Sequence, residues 1–232
     1  MIDPVPPPTD RTRLRRKRDR GYHDRETLYA VLDAGMICHV GAVVDGSPMV
    51  VPTAYGRVGD TIYLHGSVAG RTLDAADGAE ICVTVTHLDG VVLAKSLFDH
   101  SMNYRSAMVF GRPRRVTDPD ELDAGLRALV EQTAPGQWDA ARRPSRKDLA
   151  ATTVLALGLD EASVKIRSGP PGAPEEQDAD RPVWTGVLPI HQIWGEPEPD
   201  PDMAPAVATP DRFVTLAGRP VNHNPDTAPA HG

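Results

Sequence analysis

Apolar positions recur along this chain in two rhythms. Between residues 36 and 116 they come in short runs rich in Val and Ile: MICHVGAVV (36–44), PMVVPTAYG (48–56), TIYLHG (61–66), AEICVTVTH (79–87), VVLAK (91–95) and SAMVFGRPRRV (106–116). Runs of this length and composition predict strands. Asp45-Gly46, Gly59-Asp60 and Asp89-Gly90 separate them as hairpin turn signals, and Gly111 marks a bend in the last run. Further on, TVLALGL (153–159) and SVKIRSG (163–169) predict a strand pair around Asp160-Glu161, and VWTGVLPI (183–190) is the last expected ordered piece.

The second rhythm is helical. Asp24 predicts a cap, Leu28, Val31 and Leu32 follow at helical spacing, and Gly35 predicts the stop. A short helix is expected over 69–77. Asp118-Pro119 opens a longer one through about Thr133, with acids in its first turn and Leu122, Leu126, Leu129 and Val130 as its buried stripe. Residues 145–151 predict one more turn. Short strands with tight Gly turns and marginal helices predict a closed or half-closed antiparallel barrel. A βαβ rhythm is absent, and no GxGxxG follows a strand, which disfavours a dinucleotide-binding Rossmann domain.

Composition changes the picture mainly at the two ends. The 232 residues include 23 Pro, many of them terminal. The ordered domain is therefore expected over 20–195, between a basic, Pro-rich disordered arm (1–19) and an acidic, Pro-rich disordered tail (196–232). The net charge of −7 gives no general field for nucleic acid. The run RTRLRRKRDR (11–20) is the local exception; no nucleic-acid-binding fold follows it, so it reads as a solvated lead-in to the first helix, with a nucleic-acid or partner-binding arm as the alternative. Cys38 and Cys82 lie in strand-like runs without CxxC spacing and are expected as free thiols. No apolar stretch is long enough to span a membrane and the N-terminus is charged, so the cytoplasm is the expected compartment. The eight His residues form no HExxH, so no metal site is expected, and there is no GxSxG elbow for a serine hydrolase.

Three stretches carry candidate chemistry. In YLHGSVAGRTL (63–73), a strand ends at His65-Gly66-Ser67 and a helix begins near Arg71. A hydroxyl, two glycines and a guanidinium in this order suit a phosphate, although a plain strand-to-helix turn would look the same. In DHSMNYRS (99–106), Asn103, Tyr104, Arg105 and Ser106 could grip a polar heterocycle and a phosphate, or could simply solvate a surface loop. In VVPTAY (50–55), Pro52 interrupts a strand and predicts an edge, where the amides of Thr53 and Ala54 could meet a ligand. Trp184 stands late in the domain, as a ring wall or as core.

In order, VVPTAYGR, IYLHGSVAGR, SMNYRSAMVFG and PVWTGVLP resemble the pyridoxamine 5′-phosphate oxidase-like FMN-binding split barrels, in the flavin-nucleotide-binding or nitroimidazole-resistance-like branch. The opening RRKRDRGYHDRETLYAVLDAG is similar to the same branch, so the resemblance runs from about Arg15 to Ile190. It implies a mainly β (α+β) fold, a six-stranded antiparallel split β-barrel with flanking helices, forming a homodimer. It also implies FMN contacts from Val51, Pro52 and Thr53, from Leu64, His65, Gly66 and Ser67, from Arg71 at the phosphate, from Asn103, Tyr104, Arg105 and Ser106 of a partner or facing edge, and from Trp184.

Three departures argue against pyridoxamine phosphate as the substrate. Thr72 follows Arg71 where the oxidases carry a second basic residue, Ser106 replaces a Gln, and the tail is acidic rather than basic. The expected function is an FMN-dependent reductase acting on a small molecule, with NAD(P)H as reductant and His65 and Tyr104 as candidate catalytic groups. The alternative is a carrier of flavin, deazaflavin F420 or haem. For F420, Arg112, Arg114 and Arg115 would have to line the groove.

Overall fold

The computed structural model describes residues 9–203 and 207–221. The elements in chain order are β1 (Gly21–Tyr22), α1 (Arg25–Asp33), β2 (Ile37–Val44), β3 (Ser47–Val58), β4 (Thr61–Ser67), α2 (Arg71–Ala76), β5 (Ile81–Leu93), β6 (Ser101–Gly111), β7 (Arg114–Arg115), α3 (Pro119–Thr133), α4 (Gln137–Ala140), α5 (Arg146–Ala150), β8 (Thr152–Gly158), β9 (Glu161–Arg167), β10 (Gly186–Pro189) and α6 (Asp211–Val214). The strands follow the order β1-β9-β6-β5-β2-β3-β4-β8-β7, with β10 added on β5, and the strand pairs are antiparallel. The chain is a mainly antiparallel split β-barrel with a few helices. It divides into two compact units: the chain up to Leu88 with Asn103–Gly169, and Asp89–Met102 with the chain from Pro170 onward.

In the first unit, β3 is the strand on which the architecture turns. Its first eight residues pair with β2 and its last four with β4. Asp45 and Gly46 both take positive φ (51° and 77°), the conformation a two-residue hairpin needs. The inward faces of β2, β3, β4, β5, β8 and β9 bury Val40, Tyr55, Leu64, Val83, Leu155 and Val164. Burying each such side chain contributes about 1.5–3 kcal/mol.

Two helices are fitted to this sheet by particular residues. Asp24 caps α1 by accepting from the Thr27 amide at 2.7 Å, and α1 buries Leu28, Val31 and Leu32. Its last-turn carbonyls, which no helix can satisfy internally, are taken up by tertiary partners. The Tyr55 hydroxyl donates to the Leu32 carbonyl, the ring Nε2 of buried His87 lies 2.9 Å from the Val31 carbonyl, and Gln132 of α3 donates to the carbonyls of Leu32, Asp33 and Gly35. Asp118 caps α3, with Pro119 in the first turn. α3 crosses β3 at Gly56, where a Cβ would sit 2.4 Å from the Ala128 carbonyl carbon and the Leu129 amide nitrogen. It crosses β4 at Gly125, where a Cβ would meet the Tyr63 ring at 2.7 Å.

Several expectations are corrected. Asp89-Gly90 is not a turn; β5 runs through it, because Gly90 pairs with Pro189 and leaves room for the Leu188 carbonyl, 2.9 Å from where a Cβ would be. The runs 153–159 and 163–169 are strands but not partners: β8 pairs with β4 and β7, and β9 with β6 and β1. The polar stretch 99–106 is mostly strand, since β6 starts at Ser101. Among the described residues ten strands are formed, three of them only two to four residues long.

Among the described residues, parts of the expected arm and tail make specific contacts. Arg11 bridges Glu80 (2.6 Å) and Glu161, its guanidinium lies 4.9 Å from the Phe110 ring centroid, and Thr9 donates to Glu161. β1 then closes the edge of β9. In the second unit, the Trp194 amide donates to the Arg219 carbonyl, the Gly218 amide donates back to the Trp194 carbonyl, and α6 precedes this pairing. Residues 1–8, 204–206 and 222–232 lie outside the described residues.

Gly56→Ala is expected to destabilise the protein by about 1–3 kcal/mol, because backbone on both sides must move apart. Urea denaturation checks this; an unchanged midpoint would refute the close contact.

Candidate functional site

The register of β3 generates an opening. In the two-residue hairpin, Val44 and Ser47 flank the turn as a hydrogen-bonded pair, so Val51 and Thr53 also bond to β2. The backbone groups of Val50, Pro52 and Ala54 therefore point the other way. Pro52 falls where β2 needs no donor, which is why the strand tolerates it. On that outer side, pairing with β4 starts only at Tyr55↔Leu64. The same alternation turns the backbone of His65 and Ser67 toward the gap, while β8 holds the other edge of β4 through Thr152. Two strand edges thus diverge, facing each other, at Val50–Ala54 and His65–Ser67.

α2 sits at the end of this divergence. Leu73 packs on Gly66, where a Cβ would clash at 2.7 Å, and the Thr72 hydroxyl donates to the Met49 sulfur at 3.3 Å. Arg71 is exposed and lies 3.6 Å from Asp45 across the gap. The Ser67 hydroxyl accepts from the Ala69 amide at 3.2 Å, and the Ser67 carbonyl from the Gly70 amide at 2.8 Å, which shapes the turn leading to Arg71.

The sequence-predicted residues divide accordingly. Val51, Pro52, Thr53, His65, Gly66, Ser67 and Arg71 lie around the divergence. Leu64 does too, but it is fully buried and paired on both sides, so its side chain is a floor rather than a contact. Gly66 has no side chain to obstruct Leu73, which packs against it. Asn103, Tyr104, Arg105 and Ser106 lie on β6, which β5 and β2 separate from β3. Three strand spacings amount to about 14 Å along the sheet. The Asn103 amide is committed there: its Oδ1 accepts from buried Arg167 and its Nδ2 donates to the Gly169 carbonyl at 3.2 Å. Ser106 donates to the Lys165 carbonyl at 3.4 Å. Three strands separate His65 from Tyr104 in the sheet order. Trp184 belongs to the second unit, its ring lying over Gly186.

The electrostatics add two points. Partial desolvation of the ring lowers the pKa of His65, although the residue as a whole is exposed on β4 opposite Val154. Burial lowers that of Arg167, reinforced by the neighbouring charge of Arg20. The sequence reading missed Arg167; only its place beside Asn103 in the β6–β9 ladder makes it notable. Among the described residues no cluster of His, Cys, Asp and Glu could hold a metal ion, and no helix is long and apolar enough to cross a membrane.

The chain belongs to the pyridoxamine 5′-phosphate oxidase family, whose model matches residues 24–166. It is similar to the flavocytochrome Anf3 from Azotobacter vinelandii, with 40% identity over 92% of this chain and 99% of that one and a TM-score of 0.85. It is also similar to an FAD and haem binding protein from Mycobacterium smegmatis, with 36% identity over 87% and 98% and a TM-score of 0.81. A candidate 5-nitroimidazole antibiotic resistance protein from Bacteroides thetaiotaomicron VPI-5482 shares the fold, at 21% identity over 63% and 86% and a TM-score of 0.54. Among curated proteins none matches.

His65 should titrate with a midpoint below the usual 6.5, followed by the NMR shifts of its ring protons. Because the unfolded chain binds that proton more readily, this group costs stability as pH falls through 6.5 and nothing above it. A midpoint above 6.5 would contradict the desolvated setting.

Proposed function

We propose that this protein is a flavin-binding redox protein, a reductase for a small molecule, that also carries haem. The observation that carries the reading is the near end-to-end similarity to two proteins whose names specify a flavocytochrome and FAD with haem. The divergence of β3 and β4 supports it independently. A flavin ring has a hydrogen-bonding edge that the open backbone of Val50, Ala54, His65 and Ser67 can meet, and the exposed guanidinium of Arg71 suits the phosphate beyond it.

A bound flavin would supply the redox chemistry, with NAD(P)H as reductant. The chain's own contribution is position and charge. Partial desolvation favours the neutral ring of His65, the form that offers a hydrogen bond without adding a cation. Arg71 exchanges Asp45 for a phosphate. The flavin nucleotide, FMN or the FAD of the named relatives, is read by mass after release. The free thiols Cys38 and Cys82 suit a reducing compartment such as the cytoplasm.

We also assign a homodimer. Ile37, Val43 and Val50 are exposed on one face of the β2–β3 sheet, where a twofold partner would cover them. A partner would also bring its own Asn103–Ser106 strand within reach of a site that one chain does not complete.

Purified protein is expected to be yellow and to be bleached anaerobically by NAD(P)H. Arg71→Ala should weaken flavin binding by about tenfold or more, the worth of a charge-assisted hydrogen bond. A colourless protein that binds neither FMN nor FAD in equilibrium dialysis sinks the reading. Bound flavin that no nicotinamide reduces leaves the binding and removes the reductase. By light scattering, the wild type should have twice the chain mass and Val43→Asp/Val50→Asp the mass of one chain; a wild-type monomer refutes the dimer.

A further inference from the structure

The second unit contains an anomaly. Leu97 and Phe98 stand side by side at the tip between β5 and β6, 85% and 94% exposed, in a short 3-10 turn capped by Ser96. Two adjacent large apolar side chains this open are a marked departure from a soluble surface and indicate an occupant. Met102, where β6 begins, and Trp184 are exposed as well. Gly186 pairs with Leu93, so Trp184 and residues 94–100 leave the β5–β10 ladder at the same end.

The same tip carries His100, an exposed side chain of a type that can coordinate a metal. His100 Nε2 lies 3.2 Å from the Ala94 carbonyl oxygen. A carbonyl can only accept, so Nε2 carries the hydrogen, and Nδ1 is the ring nitrogen with which His100 would coordinate. Histidine ligands are commonly oriented by such a backbone contact, which also raises their basicity.

We propose that this hairpin tip binds haem, with His100 as an axial ligand of the iron and Leu97, Phe98, Met102 and Trp184 as the wall for the porphyrin. The assignment rests on the haem part of the function proposed above and adds the residues. Two facts favour haem over a second protein chain as the occupant. The group combines an apolar wall with an oriented nitrogen donor, which a protein face does not require. In addition, the two relatives named for haem or as a flavocytochrome cover 92% and 87% of this chain, far beyond the family match at residues 24–166, and so extend into the second unit. The step is coordination alone: the Nδ1 lone pair of His100 forms the bond to iron, and no electron is transferred.

The full-length protein is titrated with hemin and followed by its Soret band, with stoichiometry from the pyridine haemochrome. Wild type should saturate at one haem per chain. His100→Gly should shift the band and weaken binding roughly tenfold or more, and added imidazole should restore the wild-type spectrum, which a merely structural defect would not allow. Phe98→Ser should weaken binding without moving the band. His191→Gly, in the same unit, should leave both unchanged. A His100→Gly protein with the wild-type band and affinity overturns the assignment while leaving haem binding intact, as does loss of the band in His191→Gly instead. A wild type that forms no Soret complex overturns the haem reading itself, and this site with it.

Discussion

β3 belongs to two sheets, and nearly everything else in the first unit follows from that division. A strand that bonds β2 with one end and β4 with the other must part from one neighbour before it meets the next. The parting leaves backbone donors and acceptors exposed in an otherwise satisfied ladder, which is costly unless water or a ligand meets them. The alternation of hydrogen bonding along β3 then decides which residues open into the gap. Pro52, which looked like a flaw in a strand, lies on that open side, where a missing donor costs the sheet nothing.

The bend is held from outside. α3 can press on the turning point only because residue 56 has no side chain, and Gly125 gives Tyr63 the same allowance. α1 is tied to the same region by its end. Tyr55 from β3, His87 from β5 and Gln132 from α3 converge on the carbonyls at the end of α1. Three elements distant in sequence thus share one polar junction at the end of α1. The candidate cofactor edge is therefore mounted on a rigid support, as a preorganised site requires.

The second unit has a different character. β10 adds to the far end of β5, closely enough to require Gly90, while the tip between β5 and β6 leaves Leu97 and Phe98 in solvent. The family match ends at residue 166, yet the similarity to the two flavin- and haem-associated proteins continues well past it. The chain thus joins a family barrel to an extension shared with those relatives.

The sequence by itself determined the elements and the family. Alternating Val and Ile, Asp45-Gly46 and the Asp118-Pro119 cap act locally, over a few bonds, so they could be read without the fold. The motif order around Pro52, His65 and Arg71 located one half of the candidate site for the same reason. Tertiary structure decided what local signals cannot carry. Asp89-Gly90 reads as a turn, but a strand from a hundred residues later straightens it. β8 and β9 read as a hairpin, but each finds better partners elsewhere in the sheet. Asn103–Ser106 reads as a solvated loop, but pairing with β9 and the buried guanidinium of Arg167 makes it strand. In each case the deciding partner is remote along the chain, and long-range pairing is a property of the whole sheet rather than of any segment in it.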